Sequence, residues 1–362
     1  MKRRLKIKNI IILVLILLAL IISCLVGIYF YDLTPINSKS NEEIEVVIPA
    51  GSSRKKISKI LKDKKLIRSE TVFMIYIKLN NKNSLKASTY RLKKSMSLGS
   101  IVNTLEEGNS YNPDEIKLTF KEGINIRKLA KLIDEKTNNT YNDVLLKLQD
   151  KTYIKSLITK YSFLSDKILN KDIYYPLEGF LFPDTYIYKN KDVSIEEIFT
   201  SMLDGMDKVL SKYKDDINKS KKDVFDIITM ASVIEGESPK EEDRKNISSV
   251  FYNRLKLKMP LGSDATTYYA FKVDMGERDL YAKELNTYNP YNTRGPKMEG
   301  KLPVGPIGLP SISSIEASIN PNDTEYLYFV TDKNRNTFFS KTFAEHNKAI
   351  KEIKDKGDWL QW

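Results

Sequence analysis

Glutamate is the residue best placed to do chemistry in this chain, because imidazoles and thiols are nearly absent. The 362 residues contain one histidine, His346, and one cysteine, Cys24. A Ser-His-Asp triad, a His-ligated zinc and a Cys–His pair each need an imidazole beside other reactive groups. His346 lies in an amphipathic C-terminal stretch, residues 343–348, with no such company. A lone thiol cannot close a disulfide within one chain. Acid–base work therefore falls to carboxylates, lysine or tyrosine.

Among the carboxylates, Glu235 has the most suggestive setting. Residues 224–234 form a segment that is apolar on nearly every face of a helix, which predicts a buried helix. Glu235 follows it directly. Ser238, Pro239 and Glu241 then make a capping-box pattern with proline at the first helical position, starting a second helix that carries Ile247, Val250, Phe251 and Leu255 inward. A carboxyl held against apolar walls resists ionising, so its pKa is expected to rise, the condition for a general acid near neutral pH. The plainer alternative is a glutamate that points to solvent beyond a helix end.

Loops that could line a groove surround this glutamate in sequence. Residues 176–186 are dense in aromatics, prolines and acids; residues 251–255, 261–268, 289–293 and 302–307 combine Asn, Asp, Thr and Tyr with rigid Pro and Gly turns. A sugar polymer asks for amide and hydroxyl partners and for rings to stack on. The candidate substrate-binding residues are Glu178, Tyr186, Asn253, Arg254, Asp264, Thr266, Tyr291 and Asn292, with Glu235 as the candidate catalytic group. Taken singly, each is more often a turn former or a core aromatic.

The elements that must position these residues read as an α+β chain with a membrane segment in front. Residues 10–31 carry no charge and exceed the roughly 20 apolar residues a helix needs to cross a bilayer. Residues 1–9 are a cationic tail with Lys2, Arg3, Arg4, Lys6 and Lys8, which predicts a cytoplasmic N-terminus and an extracytoplasmic remainder. A cleaved signal peptide would have a shorter apolar core. A lipoprotein cut before Cys24 would turn polar after it, whereas this run stays apolar. Residues 32–44 read as a polar tether.

In residues 45–136, a strand, a glycine turn and an amphipathic helix occur twice. Gly123 follows Gly51, Leu129 follows Ile57 and Ile133 follows Leu61 at one constant offset, which suggests two related small α/β modules. A strand at 88–92 and a helix at 97–105 lie between the copies. Residues 137–362 form the remaining mixed α/β domain, opening on helices over 138–169 and closing on a hairpin with strands at 325–330 and around Phe338 and Phe339. The net charge of +12 suits an anionic wall polymer or membrane surface, or is simply a lysine-rich composition. No basic block interleaved with aromatics is present, so a nucleic-acid partner is not expected.

Four ordered motifs give these pieces a common meaning: residues 178–186 (EGFLFPDTY), 231–238 (ASVIEGES), 250–255 (VFYNRL) and 291–293 (YNT). Together they resemble the YceG-like (MltG) endolytic murein transglycosylases, over nearly the whole chain. Family members commonly have proline after the aspartate corresponding to Asp264, where this chain has Ala265, and residues 294–301 are longer and more charged than the pattern expects. The resemblance implies an N-terminal anchor, a small LysM-like region and a catalytic domain in which Glu235 is the catalytic glutamate. It also implies the reaction: non-hydrolytic cleavage of the β-1,4 bond between N-acetylmuramic acid and N-acetylglucosamine, leaving 1,6-anhydro ends, with no metal or cofactor. Nascent peptidoglycan strands are the implied substrate, the cytoplasmic membrane the site, and peptidoglycan polymerases the expected partners. Two rival readings remain: a muramidase-type hydrolase, with Glu178, Asp184 or Asp264 as second carboxylate, and a non-catalytic wall-binding scaffold.

Overall fold

The computed structural model describes residues 2–108, 111–238 and 240–359, with side chains from residue 7 onward. The chain divides into two compact units, residues 1–114 and 115–362. The division falls earlier than the expected one at 136/137, and it separates the two copies of the strand–glycine–helix pattern.

The first unit begins with α1 (Lys2–Leu33). From Ile7 to Leu33 this helix is long and apolar enough to cross a membrane, with a hydropathy of 3.4 and no buried residue in its apolar window. At 1.5 Å per residue those 27 residues span about 40 Å, against about 30 Å of bilayer hydrocarbon. The expected tail at 1–9 is not a separate element, since the helix starts at Lys2; the cationic side chains of residues 2–6 lie outside the described residues. β1 (Glu43–Ile48), α2 (Arg54–Asp63), α3 (Glu70–Leu79), β2 (Ser88–Lys93) and α4 (Leu98–Glu107) complete the unit. β1 and β2 pair antiparallel, with Val46 opposite Tyr90. The hydroxyls of Ser53, Ser69 and Ser97 cap the three helices, and Gly108 ends α4 in the left-handed conformation. Tyr90, Phe73, Leu61, Ile77, Leu92, Ile101 and Leu105 make the core.

Residues 32–44 are not a loose tether. The Arg68 guanidinium donates to the carbonyls of Thr34 and Pro35, both at 2.6 Å, and covers the Tyr31 ring at 4.4 Å. Asn37 N–H donates to Lys94 O, while Tyr29 and Leu33 pack on the unit's core. The segment's backbone carbonyls, which its polar side-chain composition did not reveal, serve as acceptors for an arginine.

The second unit runs β3 (Ile116–Thr119), α5 (Ile126–Lys136), α6 (Tyr141–Gln149), α7 (Lys151–Lys160), β4 (Thr185–Tyr188), α8 (Ile195–Lys212), α9 (Lys214–Ser220), α10 (Val224–Glu237), α11 (Arg244–Lys256), α12 (Asp264–Ala270), α13 (Ala282–Leu285), α14 (Ile312–Ile319), β5 (Tyr328–Thr331), β6 (Thr337–Ser340) and α15 (Phe343–Asp355). The architecture is mixed α/β, with two-stranded antiparallel sheets β3–β4 and β5–β6. The second copy of the repeated pattern therefore pairs its strand with β4, 66 residues downstream, and not with a partner in the first unit.

α10 is the central element. Ile227, Ile228, Met230, Ala231, Val233 and Ile234 are all fully buried. One face joins a core built from β3, α5, α8 and α14, and the other joins a second core with α11 and α12. Two buried hydroxyls find partners inside this apolar helix: Thr229 donates to Phe225 O, and Ser232 donates to Thr229 O while accepting from Ile307 N–H. α14 packs along α10 and is tied to it by Ser318 Oγ donating to Ile227 O at 2.9 Å.

Candidate active site

Glu235 lies in the last turn of α10, one turn earlier than a residue beyond the helix end, and its side chain is 9% exposed. Its walls are not apolar. Oε1 accepts from Arg244 Nη2 at 3.0 Å. Oε2 accepts from Ser311 N–H at 2.9 Å, from Ser311 Oγ, and from Ser314 Oγ at 2.8 Å. Ser311 is also the N-cap of α14, its hydroxyl taking the Ser314 N–H. The carboxylate thus sits where a helix presents unpaired N–H groups and the positive end of its dipole. Arg244 opens α11, and its other terminal nitrogen donates to Ser311 Oγ at 2.6 Å and to Ser313 Oγ. Three helix ends, those of α10, α11 and α14, converge on one carboxyl.

The start of α11 differs from the expected capping box. Ser238 Oγ donates to Lys240 O, a short 3-10 turn covers Glu241–Asp243, and the α-helix begins at Arg244. Pro239 lies outside the described residues. The delay places Arg244 beside Glu235 at the head of the helix.

A fourth wall comes from the β3–α5 turn. Gly123 donates its N–H to Leu309 O at 2.7 Å, and Leu309 returns a bond to Ile124 O at 2.8 Å. Gly123 has φ +75°, and a Cβ placed on it would stand 3.6 Å from Glu235 Cγ. The preceding residue is the carboxylate Glu122. Its pKa is raised by partial burial and then by the charge of Glu235, with Arg244 opposing and Glu241 adding.

Two residues further along α10, Glu237 Oε1 accepts from Ser263 Oγ, and burial pushes its carboxyl up. Asp264, at the start of α12, is exposed and ion-paired to Arg294. Asp264 and Arg294 are both near enough to Glu237 to act on its titration. α10 and α12 touch at Gly236, where a Cβ would come within 2.8 Å of Ala265 Cβ.

The remaining sequence candidates are placed otherwise. Glu178 is 1% exposed; its carboxyl accepts from Ile126 N–H at the start of α5 and from Tyr269 OH at 2.9 Å, and burial raises its pKa to about 8. Tyr186 donates to Phe182 O. Asn253 donates to the Thr324 and Tyr326 carbonyls, and Arg254 to those of Leu327 and Leu261. Thr266 bonds Thr293 Oγ1, Tyr291 OH accepts from Tyr174 N–H, and Asn292 spans Thr267 Oγ1 and the carbonyls of Glu284 and Thr287. Thr266, Tyr291 and Asn292 are fully buried. Of the eight residues expected to meet a glycan, only Asp264 is exposed. The others spend their polar atoms on loop backbone that would otherwise be buried without partners. His346 stacks on Tyr328 at the far hairpin and takes no part. Among the described residues, no cluster of His, Cys, Asp or Glu could hold a metal ion.

The site is thus a single carboxyl, oriented by an arginine and a helix cap at the junction of three helices in an α+β domain: the equipment of an acid–base enzyme. The chain belongs to the YceG-like family, whose model matches residues 46–352. A protein of Bacillus subtilis (strain 168) named endolytic murein transglycosylase is 38% identical over 89% of both chains. A protein of the same name from Streptococcus pneumoniae D39 is 35% identical over 89% of this chain, which spans 60% of that longer relative. A crystal structure of a yceG-like protein from Listeria monocytogenes matches with a TM-score of 0.61 and 40% identity, covering 85% of this chain and 99% of that one.

Proposed function

We propose that this chain is an endolytic murein transglycosylase whose acid–base group is Glu235. The carrying observation is the asymmetric dressing of that carboxyl. Oε2 takes three donors and has no free lone pair, whereas Oε1 takes only Arg244. The proton of the reaction therefore resides on Oε1. In the first half, Oε1 protonates the glycosidic oxygen leaving from N-acetylmuramic acid, and the substrate's own acetamido group stabilises the cationic carbon. In the second half, the sugar's 6-hydroxyl attacks that carbon and gives its proton back to Oε1, leaving a 1,6-anhydro end. One carboxyl serves both halves because the substrate supplies the nucleophile, unlike the two-carboxylate hydrolases. Arg244 and Ser311 keep Oε1 on target while the charge on Glu235 changes.

The apolar helix α1 supports a single-pass anchor, with the cationic N-terminus in the cytoplasm and both units outside. An anchored enzyme of this kind cuts nascent strands close to the bilayer, limits their length and works beside the polymerases. The strand–helix–helix–strand order of the first unit supports its reading as LysM-like. Asp264, exposed and paired with Arg294 near Glu237, is the residue of the predicted groove best placed to meet a sugar.

Mass spectrometry of purified peptidoglycan digested by the protein tests this reading. Anhydro-ended fragments, absent with Glu235→Gln, are the expected result. Reducing ends would mean a hydrolase, and intact glycan with a folded protein would mean a scaffold.

A further inference from the structure

We propose that α3 is a second membrane contact of this protein, lying in the lipid interface beside α1 with Met74, Ile75 and Leu79 turned into the bilayer; the proposal rests on α1 spanning that bilayer. The boundary between the span and the folded unit is sharp. Residues 7–28 are all exposed along the helix, and Tyr29 is the first that packs on the unit's core. At 1.5 Å per residue, residues 7–28 cover about 33 Å, against about 30 Å of hydrocarbon. Phe30 and Tyr31, both exposed, follow at the level where aromatic side chains sit at a membrane surface. The first unit's core therefore begins where the hydrocarbon ends, with no spacer to lift it away.

α3 belongs to that level. Arg68, two residues before the helix begins, grips the backbone at Thr34 and Pro35, and α3 packs beside α1. Both of its sides are apolar. Val72, Phe73 and Ile77 are buried in the core, while Met74, Ile75 and Leu79 are 37%, 42% and 68% exposed. Outside α1, Val47 is the only other large apolar side chain that this unit exposes among the described residues. A lone exposed leucine needs no explanation, whereas three large apolar side chains on one helix beside a membrane span form a patch. Helical spacing puts Thr71 and Lys78 on the same stripe, and no acid. A lysine there lays its stem along the acyl boundary and raises its ammonium to the lipid phosphates. Amphipathic helices of this kind sit about 5–10 Å into the headgroup region. Lipid suits the patch because the helix that crosses the bilayer is already its neighbour, so one apolar surface continues from α1 onto α3.

The test places an environment-sensitive NBD label on single cysteines of the full-length protein, reconstituted into phosphatidylcholine–phosphatidylglycerol vesicles. Native Cys24, exposed on α1, is one site. Ile75→Cys and Leu79→Cys, each in a Cys24→Ser background, are the others. Quenching by doxyl-labelled lipid is compared with quenching by iodide present on both sides of the membrane. The labels of the Ile75→Cys and Leu79→Cys variants should be quenched several-fold more by lipid than by iodide, and at a shallower depth than the Cys24 label. Iodide quenching of those two variants with a lipid-quenched Cys24 label overturns the role of α3 alone and leaves its face free for a protein partner. Shielding from both quenchers also overturns it, by showing a second copy seated on the face. Iodide quenching of the Cys24 label overturns the span and this proposal together.

Discussion

Arg244 is the residue on which the geometry of Glu235 depends most. It reaches the carboxyl with one nitrogen and two serine hydroxyls with the other, a forked arrangement that a lysine cannot reproduce. Arg244→Lys should keep the charge and the fold but lower kcat by about tenfold or more, with KM little changed, because a small misplacement of a catalytic group is costly. Steady-state kinetics beside a thermal melt would check it. Glu178 yields a different forecast. Its pKa lies near 8 in the folded protein against an ordinary 4.5, so the native state holds a proton that the unfolded chain releases. The stability this provides is complete below about 4.5, is lost as pH rises through the window up to about 8, and is absent above it. Glu178→Gln, which can still accept from Ile126 and Tyr269, should flatten the fall in Tm across that window. Glu235 was legible in the sequence because an all-apolar helix pattern ends on it and four motifs surround it. Arg244 was hidden in a run of charges, and Ser311 in a run of serines, where nothing local says which one turns inward. That Asn253, Arg254, Thr266, Tyr291 and Asn292 bond within the protein was not legible, because the polar types that bind sugars are the same types that satisfy buried loops.

At the scale of elements, the turns matter as much as the helices. Gly179 has φ +80°, and a Cβ there would stand 2.4 Å from Pro306 Cβ and 3.0 Å from Ile228 Cγ2. The residues 178–186 motif is thus a packing joint between α10 and the 302–309 loop, and no side chain fits at its glycine. Gly179→Ala should cost about 3 kcal/mol or more, from left-handed strain together with overpacking, read as a lowered denaturation midpoint. Helices α2, α4, α5 and α10 and the hairpin β5–β6 were all foreseeable, since amphipathic or apolar periodicity, caps and turn residues agree there. The pairing of β3 with β4 was not. Short strands carry no address, and the matching offsets of Gly51 and Gly123 suggested a kinship that the pairing does not use.

At the scale of the whole molecule, the hydrogen-bond partners of Glu235 among the described residues come from residues 244–314, inside the second compact unit. Residues 115–362 alone should therefore fold and cleave isolated glycan, which circular dichroism and fragment analysis would show. Exchanging α1 for a cleaved signal peptide should leave that chemistry intact but lengthen glycan strands in cells, as measured by strand-length chromatography. The junction after α1 adds a mechanical consequence. Because Arg68 grips the backbone at Thr34 and Pro35, and because Tyr29 and Leu33 pack against the first unit's core, the apolar helix is a post and not a leash. A leash lets its load wander over a radius that grows with the square root of its length. A post holds its load at one height and turns with it, so any tilt or rotation of the helix in the bilayer is passed on to the unit it carries.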